Sequence, residues 1–167
     1  EIEPELIKMV GLLNMKECIP ALKERLLACP EEEYRIQERA YRYALARLGD
    51  KEQRQYILDN FMDIDLFYRE DFIYFKDDEM IWKYIETNYF SDTPAYSEFS
   101  TPIPTSLATI NNIYPYVKNV PKDVEYPSVD TFEKLSDWSK IFYQWLMTNK
   151  ENIKFDYDGE KDWSFWK

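Results

Sequence analysis

The segment KFDYDGEKDWSF (residues 154–165) sets Asp156, Asp158, Gly159 and Asp162 at the third, fifth, sixth and ninth positions of a twelve-residue calcium loop. Oxygen donors at those spacings wrap a hard cation. Lys154 stands at the first position and Phe165 at the twelfth, where an acid and a bidentate glutamate belong. Both anchoring ligands are missing, so no metal is expected there. Paired carboxylates are the other chemistry on offer, as in glycoside hydrolysis. With 32 Asp and Glu, chance pairs are everywhere and no pair stands out. Histidine is absent, which removes His-based acid–base pairs, Ser-His and Cys-His nucleophiles, and the commonest zinc ligand. Only three glycines are present, with neither GxGxxG nor GxxxxGK[ST], so phosphate-cradling loops are excluded. No catalytic residue and no cofactor is expected.

The net charge is −11, from 21 Lys and Arg against 32 Asp and Glu. Such a chain repels phosphate, which argues against a nucleic-acid partner and an anionic membrane surface, and it steers basic proteins inward. Hydrophobic residues make up 45% of the chain, enough for a packed core. Cys18 and Cys29 flank one expected helix, about 16 Å apart by its rise, whereas a disulfide needs Cα atoms within about 7 Å. Both read as small core residues. No run approaches the ~20 apolar residues of a membrane span. The chain opens EIEPEL without methionine, which suggests a segment removed upstream; the compartment stays open between cytoplasm and export.

The elements that would position any site are helical. Leu6, Ile7, Val10 and Leu13 recur at helical spacing, as do Ile19, Leu22 and Leu26. Ile36, Ala40, Tyr43, Ala44 and Leu48 form a third stripe, with Tyr41 and Leu45 beside it. Gly49 should end that helix, and Asp50 with Gln53 should cap the next, which carries Tyr56, Ile57 and Phe61. A helix over 77–90 directs Met80, Ile81, Tyr84 and Ile85 inward. Three prolines make 91–104 a loop, and PKDVEYP (121–127) reads as a second linker. Leu107, Ile110 and Ile113 mark a helix before Pro115. Asp130 and Glu133 suggest a capping box for a closing helix apolar at Phe132, Leu135, Trp138, Phe142 and Trp145. Phe155, Tyr157, Trp163 and Phe165 around Asp158–Gly159 predict a small C-terminal β-hairpin.

The turns align. Leu13, Lys16, Glu17, Leu22 and Leu26 match Leu48, Lys51, Glu52, Ile57 and Phe61 at a spacing of 35. Leu48, Asp50, Glu52, Ile57 and Leu58 match Phe75, Asp77, Glu79, Tyr84 and Ile85 at 27. Two-helix periods of this size indicate a solenoid. Asn14, Ile19-Pro20-Ala21-Leu22, Arg35, Ala40, Ala44-Leu45 and Leu48-Gly49-Asp50 resemble the short HEAT-like repeats of bacterial scaffold proteins and phycobilin-lyase-type proteins. The likeness covers residues 14–61. It implies an all-α fold, an α–α superhelix of HEAT/armadillo type, whose concave face binds a partner; it carries no lyase chemistry. The expected organisation is one domain over 1–167. Its repeats run about 4–28, 31–61 and 64–90, followed by a loop over 91–104, closing helices over 105–150 and a cap over 151–167.

Aromatic residues reach 17%, more than a core of this size absorbs. Trp145, Tyr157, Trp163, Phe165 and Trp166 suit a cap on the open end of a stack, or a binding patch rich in hot-spot residues. Tyr96 and Phe99, on the proline-rich loop, are either pinned to the stack or presented to a partner. Binding candidates are thus Tyr96, Phe99, Trp163 and Trp166, with Lys23, Arg54 and Lys83 on the helices expected to line a groove. The expected function is noncatalytic binding of a protein or peptide. The alternatives are an acidic, immunity-type neutraliser of a basic protein and, behind it, a carboxylate hydrolase.

Overall fold

The structure is a computed structural model that describes residues 3–29, 35–61, 73–91, 95–96, 102–128 and 131–158. The chain divides into two compact units, Glu1–Met80 and Ile81–Lys167. Seven α-helices among the described residues make it predominantly helical, in line with the all-α expectation. They are α1 (Pro4–Leu12), α2 (Ile19–Leu27), α3 (Arg35–Arg47), α4 (Lys51–Asp59), α5 (Asp78–Asn88), α6 (Thr105–Ile113) and α7 (Phe132–Thr148). The division between the units falls within α5.

In the first unit α1, α2 and α4 each pack on α3. The core gathers Ile7, Leu22, Ala40, Tyr41, Ala44, Leu45 and Leu48, with Val10, Cys18, Ile19 and Leu26 partly buried against it. Small residues decide how closely α1 approaches α3: a Cβ on Gly11 would stand 3.2 Å from the Ala44 Cα. The same Cβ would stand 2.0 Å from the Tyr74 hydroxyl oxygen, so Gly11 is the notch that admits this ring. Tyr74 donates from that hydroxyl to the Lys8 carbonyl at 2.8 Å, and its ring packs with Tyr43 and Phe75. Burial pushes the Tyr74 hydroxyl well above the usual tyrosine range. Cys18 and Cys29 are free and half-buried.

The two hairpin corners share one geometry. After α1, Asn14 takes a left-handed φ of 53°, its N–H donates to Gly11 and the Met15 N–H to Val10. After α3, Gly49 takes φ 94°, its N–H donates to Ala46 and the Asp50 N–H to Leu45. This is the Schellman pairing, which satisfies the last helical carbonyls. Lys76, before α5, also has a left-handed φ of 50°. Asn14, Gly49 and Lys76 stand at the spacings of 35 and 27 at which the sequence aligns with itself. Sequence periodicity placed Leu6, Leu13 and Ile36 on inward stripes, but all three are exposed. Ile7 and Gly11 are the residues of α1 that face inward.

In the second unit α6 packs on α7. Leu107, Ile110, Ile113, Tyr116, Trp138, Phe142 and Leu146 are buried, whereas Phe132 is exposed. Residues 121–127 are no free linker. Val124 is buried, Trp138 donates its indole Nε1–H to the Val124 carbonyl at 3.0 Å, and the Tyr126 N–H donates to the Tyr114 hydroxyl at 2.9 Å. Two short strands, β1 (Ala95–Tyr96) and β2 (Pro102–Ile103), pair antiparallel. Of the expected C-terminal hairpin, Phe155 forms an antiparallel bridge with Val117, and the second strand lies outside the described residues. The amide of Asn111 is shielded from solvent at both Nδ2 and Oδ1, and neither has a hydrogen-bond partner among the described residues.

Candidate protein-binding surface

Three of the four expected binding residues, Phe99, Trp163 and Trp166, lie outside the described residues. Tyr96 falls in β1, its backbone opposite Pro102. Of the three cations on the helices expected to line a groove, Lys23 and Arg54 hold helix starts, and Lys83 of α5 is exposed. Asp50 caps α4 by accepting from the Gln53 N–H at 3.0 Å, and Lys23 of α2 donates to the same carboxylate at 2.7 Å. Asp77, just before α5, accepts from the Glu79 and Met80 N–H groups, and Arg54 of α4 binds it through Nε and Nη2. Arg54 also reaches Glu79 at 2.6 Å. Capping Asp50 thus meets Lys23 of α2, and capping Asp77 meets Arg54 of α4. Gln53 does not close the expected capping box; its side chain accepts from Arg42, which lies over the Tyr56 ring at 3.7 Å.

These pairs fix the electrostatics. Partial burial raises the Asp77 carboxyl, but the Arg54 hydrogen bonds and backbone N–H groups more than offset it, leaving Asp77 below the usual carboxylate range. Asp50 is lowered in the same way, with burial outweighed by Lys23 and the Gln53 N–H. A general acid needs a carboxyl raised toward neutrality. These two move the other way. Among the described residues no group of three or more His, Cys, Asp or Glu is placed to hold a metal. Of the calcium-like segment, Asp156 pairs with Lys118 at 3.0 Å and accepts from the Asp158 N–H. Gly159, Asp162 and Phe165 lie outside the described residues.

An aromatic surface that sequence reasoning missed lies in the second unit. α5 ends in Asn88, and Tyr89 and Phe90 follow at once. Tyr89 lies parallel to Tyr143 of α7, with ring centroids 3.6 Å apart. Phe90 stands perpendicular to both, 4.9 Å from Tyr89 and 5.6 Å from Tyr143, yet remains 71% exposed. Beside it, Lys150 pairs with Glu86 at 2.8 Å and hangs over the Trp82 ring at 5.0 Å. Trp82 in turn packs edge-on against Phe155. Burial and the neighbouring Tyr143 raise the Tyr89 hydroxyl; burial and Glu86 raise that of Tyr143. Both stay protonated at neutral pH, so this surface offers apolar area and neutral hydroxyls rather than proton transfer. Consecutive aromatics between the last inward helical residue and a proline-rich loop were the available signal.

Among the described residues no helix is long and apolar enough to cross a membrane. No family model matches the chain, and no curated protein or solved structure matches it either.

Proposed function

We propose that this chain is a noncatalytic helical-repeat protein of the HEAT-like kind that binds a protein or peptide through the Phe90 surface. The observation that carries the reading is Phe90 itself, a large ring left 71% exposed and braced perpendicular to the Tyr89–Tyr143 stack. A rigid exposed aromatic loses little side-chain freedom on binding, which is why such residues dominate interface energies. The recurring left-handed corners and the capping aspartates, each paired with a cation of an earlier helix, support the α–α superhelix of short repeats.

A displayed peptide library selected on the wild-type chain and on Phe90→Ser tests this. Peptides retained by the wild type and lost from Phe90→Ser, with unchanged thermal unfolding, are the expected result. Equal enrichment on both overturns the Phe90 surface, and turnover of glycoside or ester substrates overturns the noncatalytic reading. The net charge of −11 favours a basic partner as the second reading, with the chain as its neutraliser. Selected peptides would then be rich in Lys and Arg, and their binding would weaken steeply with salt.

A further inference from the structure

Tyr89, just past α5, and Tyr143 of α7 meet face to face. Their rings are 8° from parallel, with centroids 3.6 Å apart. Aromatic pairs ordinarily slide or tilt until their centroids stand about 4.5–7 Å apart. A separation of 3.6 Å leaves little room for sliding, so carbons of one ring lie over carbons of the other. Two other close tyrosine pairs lack this register. Tyr43 and Tyr74 are 6.4 Å apart at 33°, and Tyr114 and Tyr126 are 5.6 Å apart at 49°. Burial comes first in raising the Tyr89 hydroxyl, and Tyr143 adds to it, as two phenol oxygens lying near one another should.

We infer that Tyr89 and Tyr143 form a modification site, at which one-electron oxidants derived from a peroxide join them through an intramolecular dityrosine bond. Each phenol gives one electron to the oxidant and its hydroxyl proton to water. The unpaired electron of the resulting phenoxyl radical spreads through the ring's π orbitals onto the carbons ortho to oxygen. Those orbitals stand perpendicular to the ring, so stacked rings point them at each other. Reaction is favoured when the reacting atoms are held about 3–3.5 Å apart, and this stack comes close. A carbon–carbon bond forms between one ortho position of each ring. Each displaced ortho hydrogen then moves through water to its phenol oxygen, restoring aromaticity. The pair loses two electrons and two protons in all, and the peroxide O–O bond takes up both electrons as it breaks. Tyr143 is half-buried and within reach of an oxidant, whereas Tyr89 is only 9% exposed and shielded from tyrosines of other copies. That contrast favours coupling within one chain. The bond would tie the end of α5 to α7 directly behind Phe90. It requires the stack, and it does not require that Phe90 bind a ligand.

Photo-oxidation of the full chain with a ruthenium tris-bipyridyl complex and persulfate tests this. Monomer isolated afterwards should show dityrosine fluorescence, a mass lower by two hydrogens, and a cross-linked peptide pair joining Tyr89 to Tyr143. Tyr143→Phe keeps the ring but lacks the phenol, and should lose that cross-link. Wild type unfolded in urea before illumination should lose most of it too. Monomer without a Tyr89–Tyr143 cross-link overturns the inference, whether the tyrosines stay unmodified or couple only between copies. A yield as high in urea as in the folded chain overturns the role of the stack.

Discussion

All seven arginines of the chain lie in the first unit, and all five tryptophans lie in the second. The difference follows how each unit starts its helices and ties its loops. In the first, a capping aspartate answers the unpaired N–H groups of α4, and another does so for α5, each held by a cation. In the second, neither Pro104 before α6 nor Thr131 before α7 makes a side-chain cap hydrogen bond. The polar tips of aromatic rings tie down the chain there instead, Trp138 to Val124 and Tyr114 to Tyr126. One unit spends charge at its corners; the other relies on ring area with a polar handle.

The contrast can be broken from either side. Phe142→Ala should cost about 3–5 kcal/mol, because the ring is fully buried among Tyr114, Trp138 and Trp145. Chemical denaturation followed by tryptophan fluorescence reads this directly, since every tryptophan belongs to that unit. A loss below about 1 kcal/mol would mean that the rings are not its main support. Gly11→Ala should cost the first unit about 1–3 kcal/mol as overpacking, by driving a methyl into the Tyr74 hydroxyl. Gly11→Ala combined with Tyr74→Phe should recover part of that loss in the same denaturation measured by circular dichroism. Asn111→Leu should stabilise the second unit by about 1 kcal/mol, because it removes a buried amide with no partner for either end among the described residues. A destabilised variant would reveal a hidden partner for that amide.

The smallest effect is the most selective. Asp50 and Asp77 titrate below their unfolded value of about 3.9, so their stabilisation is complete above that pH and lost as pH falls through the lower folded values. Solvent screening keeps each contribution to a fraction of a kcal/mol up to about 1 kcal/mol. Among the described residues of the second unit, the shifted groups are the tyrosines Tyr84, Tyr89, Tyr126 and Tyr143, all raised mainly by burial. Their contribution is complete below about pH 10 and lost only as alkali ionises them. Acid should therefore loosen the first unit earlier. Ellipticity should fall before tryptophan emission changes as pH drops from about 5 toward 2, a difference that Asp50→Asn with Asp77→Asn should narrow.

Where periodicity and turn chemistry agreed, the fold was legible. Gly49 ends α3 and Asp50 caps α4 as their types demand. Ala40, Tyr43, Ala44 and Leu48 are buried as their spacing required. Periodicity misread α1, because apolar residues on both sides of one helix carry no mark of which side the core takes. The notch at Gly11 decides it, and the ring that fills the notch lies 63 residues away in sequence. The roles of Lys23 and Arg54 were equally hidden, since a cation on a helix looks the same whether it meets a ligand or a capping aspartate. Phe90 was missed because the helix expected over 77–90 took it in, whereas α5 ends at Asn88 and the 3.6-residue period says nothing of the two residues beyond.

The Schellman corners at Asn14 and Gly49 also bear on how quickly the first unit assembles. Each corner closes through hydrogen bonds between residues no more than five apart, Met15 to Val10 and Asp50 to Leu45. Such short loops close on the ~10–100 ns scale, well before a ~100-residue chain has collapsed. The turn from α1 toward α2 and from α3 into α4 thus needs no distant contact to form. The slow steps left to this unit are the long-range ones, chief among them the arrival of Tyr74 at Gly11.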